Sequence, residues 1–297
     1  MSKLKAGVIG AGVFGAHHAR KYQMDERVEL VGVYDLDAER TEAVADAFGV
    51  RTFANMDDLL DLLDVVTIAS PPMTHASAAA AALEYGKHVL IEKPIATSRF
   101  EAGLLVDLAR DKNLVLACGH QERLVFEAMG LYAAHEKPTL IESVREGPWT
   151  GRSADVSVTL DLMVHDLDLV LQLMGEQPHQ IAATAKCEHG RTADAIEAHL
   201  AFGAAEAVFT SSRIAPERNR SPARVQKGGR QGRRGQQQQP GANGRYACGT
   251  TSERHHCRLA STSMHQCKDF LVGAAFTVGR TFLQPAEGDR PSLALRP

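Results

Sequence analysis

The sequence predicts an α/β protein whose N-terminal part is a doubly wound parallel sheet. Short apolar runs alternate there with helical stretches of about ten residues, and a glycine-rich turn follows the first run. This alternation is typical of parallel strands covered by helices on both faces and joined by right-handed crossovers. The predicted strands are Leu4–Ile9, Val28–Tyr34, Val65–Ala69, His88–Ile91 and Leu114–Ala117, and the predicted helices include Ala38–Phe48, His75–Tyr85 and Phe100–Arg110.

The composition is that of an ordinary folded chain. Hydrophobic residues make up 44% and charged residues 23% of the 297 residues, which excludes a wholly disordered or collagen-like protein and suggests two domains. No apolar run approaches the ~20 residues of a membrane span, and no secretory signal precedes the first strand. Five cysteines without framework spacing favour a reducing compartment. We therefore expect a cytoplasmic protein that contacts no membrane.

The first predicted strand runs into a G-x-G-x-x-G turn, whose residues are Gly10, Ala11, Gly12, Val13, Phe14 and Gly15. The first glycine of such a turn permits the bend, the second lets the backbone approach a pyrophosphate, and the third allows close packing of helix on strand. Asp35 ends the second strand, 20 positions after Gly15, where a carboxylate binds ribose hydroxyls and repels a 2′-phosphate. These features predict an NAD-binding Rossmann fold, with NADP disfavoured. The alternative is a nucleotide-free sheet with a glycine turn.

Two further strand ends supply candidate cofactor contacts. The fourth strand ends in Ser70-Pro71-Pro72-Met73-Thr74-His75, at the carboxyl edge where open α/β sheets bind ligands. We expect Ser70, Pro71 and His75 to contact the cofactor, although the prolines also fit a merely stiff connection. The fifth strand ends in Glu92-Lys93-Pro94, where Glu92 and Lys93 are candidate cofactor contacts and Pro94 is a candidate cis residue. Lys93 could polarise a substrate hydroxyl or be a solvated surface charge.

A later amphipathic segment carries the candidate acid–base residues. Leu160–Met174 is predicted to be a helix that Gly175 ends. Asp161, His165 and Asp168 share one face of this helix, where they either satisfy each other in the core or line a cleft. We expect His165 to accept the substrate proton, Asp161 to orient substrate or imidazole, and Asp168 to be the partner of His165.

The remaining β patterns predict a second sheet. They cover Thr139–Val144, Ile181–Lys186, Ala205–Ile214 and, less clearly, Ala193–Phe202, and they suit antiparallel pairing. His120 and Arg123 lie near the junction of the two predicted domains and could reach the substrate. Arg123 could instead pair with Glu127, one helical turn further on.

Together these motifs resemble the glucose–fructose oxidoreductase / inositol dehydrogenase (Gfo/Idh/MocA) family over roughly residues 3–220. The residues that carry the resemblance are Gly10–Gly15, Asp35, Ser70–His75, Glu92–Pro94, Gly119–Arg123 and Asp161–Asp168. The resemblance implies a Rossmann domain at 1–120 and an α+β domain with an open, mostly antiparallel sheet at 121–217. It also implies hydride transfer between NAD(P) and a secondary alcohol of a sugar or cyclitol, with Lys93 stabilising the alkoxide. The motifs look most like members that act on nucleotide-linked amino sugars.

The same resemblance has consequences for partners. It implies a homo-oligomer, because the exposed face of the second sheet often forms a dimer interface in this family. The expected substrate contacts are Lys93, His120, Arg123, Asp161 and His165, and no metal is expected. A catalytically silent NAD-binding regulator remains the main alternative, although the joint presence of Lys93, Asp161 and His165 favours chemistry.

The last eighty residues, 218–297, differ from the rest of the chain. They contain 14 Lys and Arg against 4 Asp and Glu, with an Arg/Gly/Gln-rich stretch that predicts disorder. Such a basic tail could bind nucleic acid, but the acidic body argues against that function. A zinc site at His255, His256, Cys257, His265 and Cys267 fits no ordinary spacing. The interpretation favoured by the composition is an altered reading frame from about residue 221, which would leave the second domain incomplete.

Overall fold

The structure is a computed structural model that describes residues 2–128, 130, 132 and 138–227. Its first sheet has six parallel strands in the order β3-β2-β1-β4-β5-β6. This sheet confirms the predicted doubly wound architecture. The strands are β1 (Leu4–Ile9), β2 (Val28–Tyr34), β3 (Arg51–Thr52), β4 (Val65–Ile68), β5 (His88–Ile91) and β6 (Leu116–Cys118).

Five helices connect these strands, and local signals fix where several of them begin. The side chains of Asp37, Asn55 and Ser98 each accept a backbone N–H in the first turn of the helix that follows. β3 and the helix after it were not predicted, because two and five residues are too few to show a period. The helices are α1 (Val13–Met24), α2 (Ala38–Phe48), α3 (Met56–Leu60), α4 (Pro72–Glu84) and α5 (Arg99–Asp111).

The second sheet follows the junction and has five strands in the order β11-β7-β10-β9-β8. β10 pairs with β7 in parallel, whereas the other three pairings are antiparallel, which confirms the expected open, mostly antiparallel sheet. The strands are β7 (Pro138–Glu146), β8 (Gln180–Lys186), β9 (Ala195–Phe202), β10 (Ala205–Ser212) and β11 (Asn219–Lys227).

One long helical segment covers one face of this second sheet. It begins as a π-helical turn, Thr159–Met163, and continues as α7, Val164–Met174, which ends at Gly175 in the left-handed conformation as expected. A short helix, α6 (Glu122–Ala128), lies at the junction. The buried side chains between helix and sheet include Met163, Leu167, Val170, Met174, Phe202 and Phe209. The π turn was not predicted, since apolar spacing does not distinguish it from an α-helix.

Strand β11 was also not predicted, because the sequence analysis assigned its residues to the basic tail. It pairs antiparallel with β7 at the edge of the sheet, with an irregularity between Ser221 and Arg224. The proposed disorder, nucleic-acid binding and zinc site beyond Lys227 lie outside the described residues. Within the described part of the chain, no helix is long and apolar enough to cross a membrane, and no cluster of His, Cys, Asp and Glu could hold a metal ion.

Candidate active site

The glycine turn after β1 has the geometry of a dinucleotide cradle. Gly10 has a φ of +102°, and a Cβ there would lie 2.4 Å from the backbone nitrogen of Ser70. A Cβ on Gly15 would lie 1.7 Å from the carbonyl oxygen of Gly10, so no side chain fits between α1 and the turn. At Gly12, by contrast, a Cβ would meet no described atom within 4 Å. Two glycines are therefore required by packing, and the third leaves the approach to the turn open.

Asp35 lies beside this cradle. Its Oδ2 accepts the backbone N–H of Ala11 at 2.6 Å, and its Oδ1 accepts that of Asp37 at 2.9 Å. Helix α1 begins at Val13, its N-cap residue Gly12 supplies no side-chain cap, and its first turn has no acidic residue, so its first N–H groups are not neutralised by a side chain. Val13 and Phe14 are exposed at the same end. These groups fit a dinucleotide, because the backbone N–H groups can donate to the phosphates and the Asp35 carboxylate can accept from the ribose hydroxyls.

His75 has a different place from the one predicted. Its side chain is buried, its Nδ1 lies 2.7 Å from the carbonyl oxygen of Pro94, and its Nε2 lies 2.8 Å from that of Ser70. Both ring nitrogens are thus engaged by the protein backbone, so the expected contact between this ring and the cofactor is corrected. His75 ties the end of β4 to the end of β5. Ser70 remains half-buried, with its hydroxyl 2.8 Å from Thr74 Oγ1, and the Lys93–Pro94 peptide is cis.

Glu92 is buried at the end of β5 and links three elements. Its Oε1 lies 2.8 Å from His18 Nε2 in α1 and accepts from Gln121 Nε2 at 2.6 Å. His18 was missed by the sequence analysis. The available signal was its position three residues after Gly15, on the side of α1 that packs against the sheet.

Lys93 and Asp161 meet across the junction. The Nζ of Lys93 donates to the backbone carbonyl oxygen of Asp161 at 2.8 Å and lies 3.3 Å from its Oδ1. The two side chains are 18% and 24% exposed, so the pair is only partly shielded from solvent. Lys93 follows β5 and Asp161 belongs to the π turn, so this contact joins the end of the parallel sheet to the helical segment of the second half.

His165 lies close to this pair and is held in its neutral form. Burial lowers the pKa of His165 to about 3, the positive charge of Lys93 lowers it as well, and Glu122 opposes the shift. Its Nδ1 lies 3.8 Å from Glu122 Oε1 and has no hydrogen-bond partner among the described residues. A neutral imidazole beside an ammonium group can accept a proton from a hydroxyl.

Asp168 is not the partner of His165. It forms a bidentate ion pair with Arg123, in which Arg123 Nε donates to Oδ2 at 2.7 Å. The Nδ1 of His120 lies 3.6 Å from the same Oδ2, and burial lowers the pKa of this histidine although Asp168 opposes the change. The expectation for Asp168 was therefore wrong, because Arg123, 45 positions away in the sequence, donates to both oxygens of this carboxylate.

Comparison with known proteins agrees with this geometry. Residues 4–120 match the model of an oxidoreductase family with an NAD-binding Rossmann fold, and residues 128–233 match that of the GFO/IDH/MocA C-terminal domain. A solved structure of UDP-N-acetylglucosamine 3-dehydrogenase from Acidithiobacillus ferrooxidans is 36% identical, with a TM-score of 0.71 over 76% of this chain and 75% of that one. The chain belongs to the Gfo/Idh/MocA family.

The sequence of the same relative and one further solved structure extend the comparison. The UDP-N-acetylglucosamine 3-dehydrogenase sequence of A. ferrooxidans is 40% identical over 184 residues, which are 62% of this chain and 58% of that protein. The structure of GenD2 from gentamicin A biosynthesis, in complex with NAD, is 25% identical, with a TM-score of 0.66 over 76% of this chain and 69% of that one. The chain thus spans little more than half the length of this curated relative.

Arg145, Asp166 and Glu122 form an ion network next to His165 that the sequence analysis missed. Arg145 Nε donates to Asp166 at 2.5 Å, and its Nη1 donates to Glu122 at 3.0 Å. Arg220 of β11 reaches the same carboxylate, with Nη2 2.6 Å from Glu122 Oε1. Burial raises the pKa of Asp166, and the hydrogen bond from Arg145 only partly compensates. The strand expected to belong to the tail therefore contributes a charge to the surroundings of His165.

Proposed function

We propose that this chain transfers a hydride between NAD and a secondary alcohol of a sugar or nucleotide-linked sugar. The observation that carries the proposal is the contact of Lys93 with Asp161 across the junction, with the neutral imidazole of His165 close by. An ammonium group, a carboxylate and an unprotonated imidazole are the groups needed to deprotonate an alcohol and stabilise its alkoxide.

The cofactor is proposed to be held by the turn Gly10–Gly15 and by Asp35. The open space at Gly12 and the uncapped N–H groups of α1 support binding of the pyrophosphate. When bound, NAD supplies the hydride acceptor. We favour NAD over NADP because the Asp35 carboxylate repels a 2′-phosphate and the next residue, Leu36, is an 87% exposed apolar side chain and not a cation. Ser70, Pro71, Glu92 and Lys93 remain proposed cofactor contacts.

The three junction residues have distinct proposed roles. His165 takes the hydroxyl proton on its Nε2 while the C–H hydride leaves, so the alcohol becomes a carbonyl and the imidazole becomes an imidazolium. Lys93 stabilises the negative charge that develops on the oxygen. Asp161 orients Lys93 through its carbonyl and carboxylate oxygens. The reverse direction uses the same groups as acid and electrostatic support.

The proposed substrate class is narrower than a sugar alcohol. The name of the relative from A. ferrooxidans indicates UDP-N-acetylglucosamine as the first compound to test, with myo-inositol as a substrate without a nucleotide. His120 is buried and Arg123 is paired with Asp168, so we propose that both support the substrate site from the protein side. Direct substrate contact is then left to Lys93, Asp161 and His165.

Purified full-length chain gives the test of this function. Saturating NAD, at a hundred times its Kd, adds about 2.7 kcal/mol and raises the melting temperature by about 5–10 °C, and NADP does so less. NADH formation at 340 nm with UDP-N-acetylglucosamine should fall at least about 100-fold in Lys93→Met, while the control Lys112→Met keeps its rate. A melting shift without turnover on any sugar would favour the silent NAD-binding regulator instead.

We also propose a cytoplasmic homo-oligomer that binds neither nucleic acid nor a membrane. The thiol of Cys118 is free, which suits a reducing compartment. On one face of the second sheet Glu142, Val208 and His199 lie side by side on β7, β10 and β9, and Glu142 and His199 are exposed with respect to the described residues, so a second copy could cover this surface. Light scattering at several protein concentrations measures the oligomeric state directly, and a monomer throughout would contradict the proposal.

A further inference from the structure

The proposed mechanism gives no role to Nδ1, the second ring nitrogen of His165. If Nε2 faces the substrate, Nδ1 must carry the proton of the neutral imidazole. That nitrogen is buried and has no hydrogen-bond partner among the described residues. A buried N–H without an acceptor is costly, so without a partner the ring would not keep its proton on Nδ1. The site therefore calls for an acceptor on this side of the ring.

Glu122 offers that acceptor. Its Oε1 lies 3.8 Å from His165 Nδ1, about 1 Å longer than an ordinary N–H···O hydrogen bond. Glu122 belongs to α6, which has no fully buried residue among its described positions and exposes Leu124 and Val125. A movement of about 1 Å in this helix consequently disturbs little core packing.

The carboxylate of Glu122 is kept ionised by its other neighbours. Arg145 donates to both of its oxygens, and Arg220 Nη2 lies 2.6 Å from Oε1. Burial raises the pKa of Glu122. The hydrogen bonds from Arg145 and the charges of His165 and the two arginines lower it by more, so the net change in pKa is downward. An anion fixed in this way can balance a positive charge that appears on the neighbouring ring.

We propose that Glu122 is a positioning residue that accepts the Nδ1–H of His165 and so leaves Nε2 as the proton acceptor. The inference rests on the proposed function. In the reaction, the hydroxyl proton moves to Nε2 and the resulting imidazolium is paired with the Glu122 carboxylate. Nothing is oxidised or reduced in this step beyond the alcohol and the nicotinamide.

The charges around His165 explain why such a partner is needed. Lys93 after β5, Arg145 on β7 and His120 after β6 all disfavour an imidazolium, as does burial of the ring. Glu122 on α6 acts in the opposite sense. Without this carboxylate, Lys93, Arg145 and His120 would oppose, with no counterweight from Glu122, the protonation that the reaction requires.

A kinetic cycle tests the proposal. Glu122→Gln should lower kcat about 10-fold or more and change KM less than threefold, whereas Glu127→Gln on the same helix should change neither. In a His165→Asn background, adding Glu122→Gln should cause no further loss, because its effect passes through the ring. Equal losses in both backgrounds would overturn the proposal. Glu122→Asp, which keeps the charge, should recover part of kcat and serves if the glutamine variant does not fold.

Nitrogen NMR of the full chain with ¹⁵N-labelled histidine provides a readout that needs no turnover. The His165 signals are those lost in His165→Asn. At pH 7 the Nδ1-protonated tautomer should dominate, and its share should fall in Glu122→Gln. The same tautomer ratio in both proteins would refute the role of Glu122. A clear tautomer response in a protein that oxidises no sugar would instead count against the proposed function and leave the contact intact.

Discussion

The two halves of the molecule are held together by different interactions. In the parallel sheet the interior is almost entirely apolar, and Glu92 is its one buried carboxylate among the described residues. In the second half, Asp166, Asp168 and Asp194 are all buried, and each is paired with an arginine. The first half therefore depends on area removed from water, and the second depends in addition on the geometry of specific charge pairs.

This difference follows from the sheets themselves. A parallel sheet covered by helices on both faces has no solvated side for polar residues, so its strands must be apolar. A sheet covered on one face leaves its edges and loops to be fixed by other means. Arg213 shows how: it donates to Asp194 at 2.8 Å and to the carbonyl oxygen of Val156 at 2.9 Å, and its guanidinium lies 5.1 Å from the ring of Trp149. This one side chain anchors the loop before the π turn.

The greatest loss of stability is expected from removing a charge in the second half, which depends on ion pairs. Arg213→Ala leaves the fully buried Asp194 without its cation and should cost about 3–5 kcal/mol of unfolding free energy in guanidinium titrations. The exposed pair of Arg110 with Asp107 provides the control, since Arg110→Ala should cost less than about 0.5 kcal/mol. The NAD-induced melting shift should persist in Arg213→Ala. Loss of that shift would mean that the two halves do not differ in the way described.

A smaller loss of stability is expected from a substitution in the first half, which depends on packing. Gly15→Ala forces a Cβ into the carbonyl of Gly10, so α1 must move away from the turn. We expect about 1–3 kcal/mol of destabilisation and a reduced NAD-induced melting shift. Gly103→Ala in α5 is the matched control, because a Cβ there would meet no described atom within 4 Å and the helix gains propensity. Equal shifts in both variants would contradict the assignment of the cradle.

The smallest effect concerns pH. Burial lowers the pKa of His165 from its ordinary value of 6.5 to about 3, so between these values the unfolded chain binds a proton that the native protein does not. Stability should therefore fall as the pH drops below about 6.5, by up to about 2 kcal/mol at pH 5 for this group. His165→Asn should flatten that part of the curve, whereas His199→Asn on the exposed face of β9 should not. Unfolding titrations from pH 5 to 7 measure the slope.

The amino-acid sequence alone was sufficient to predict the fold of the first half and to single out the proposed catalytic pair, Lys93 and Asp161. Strand and helix patterns placed most elements within a few residues, and the spacing of Gly10, Gly15 and Asp35 located the cradle, because such signals act on neighbouring backbone. Lys93 was singled out by its position at a strand end and Asp161 by the helix face that it was expected to share with His165, and the fold brings the two residues together.

The partners of the polar side chains could be read only from the three-dimensional structure. His75 bonds to Pro94, Arg123 to Asp168, and Arg220 to Glu122, pairs that are 19, 45 and 98 positions apart. No local pattern encodes such pairs, since they depend on where separate elements cross. Strand β11 was missed for a related reason. An edge strand pairs through its backbone atoms and tolerates Pro222 at an irregularity, so its polar composition did not identify it as a strand.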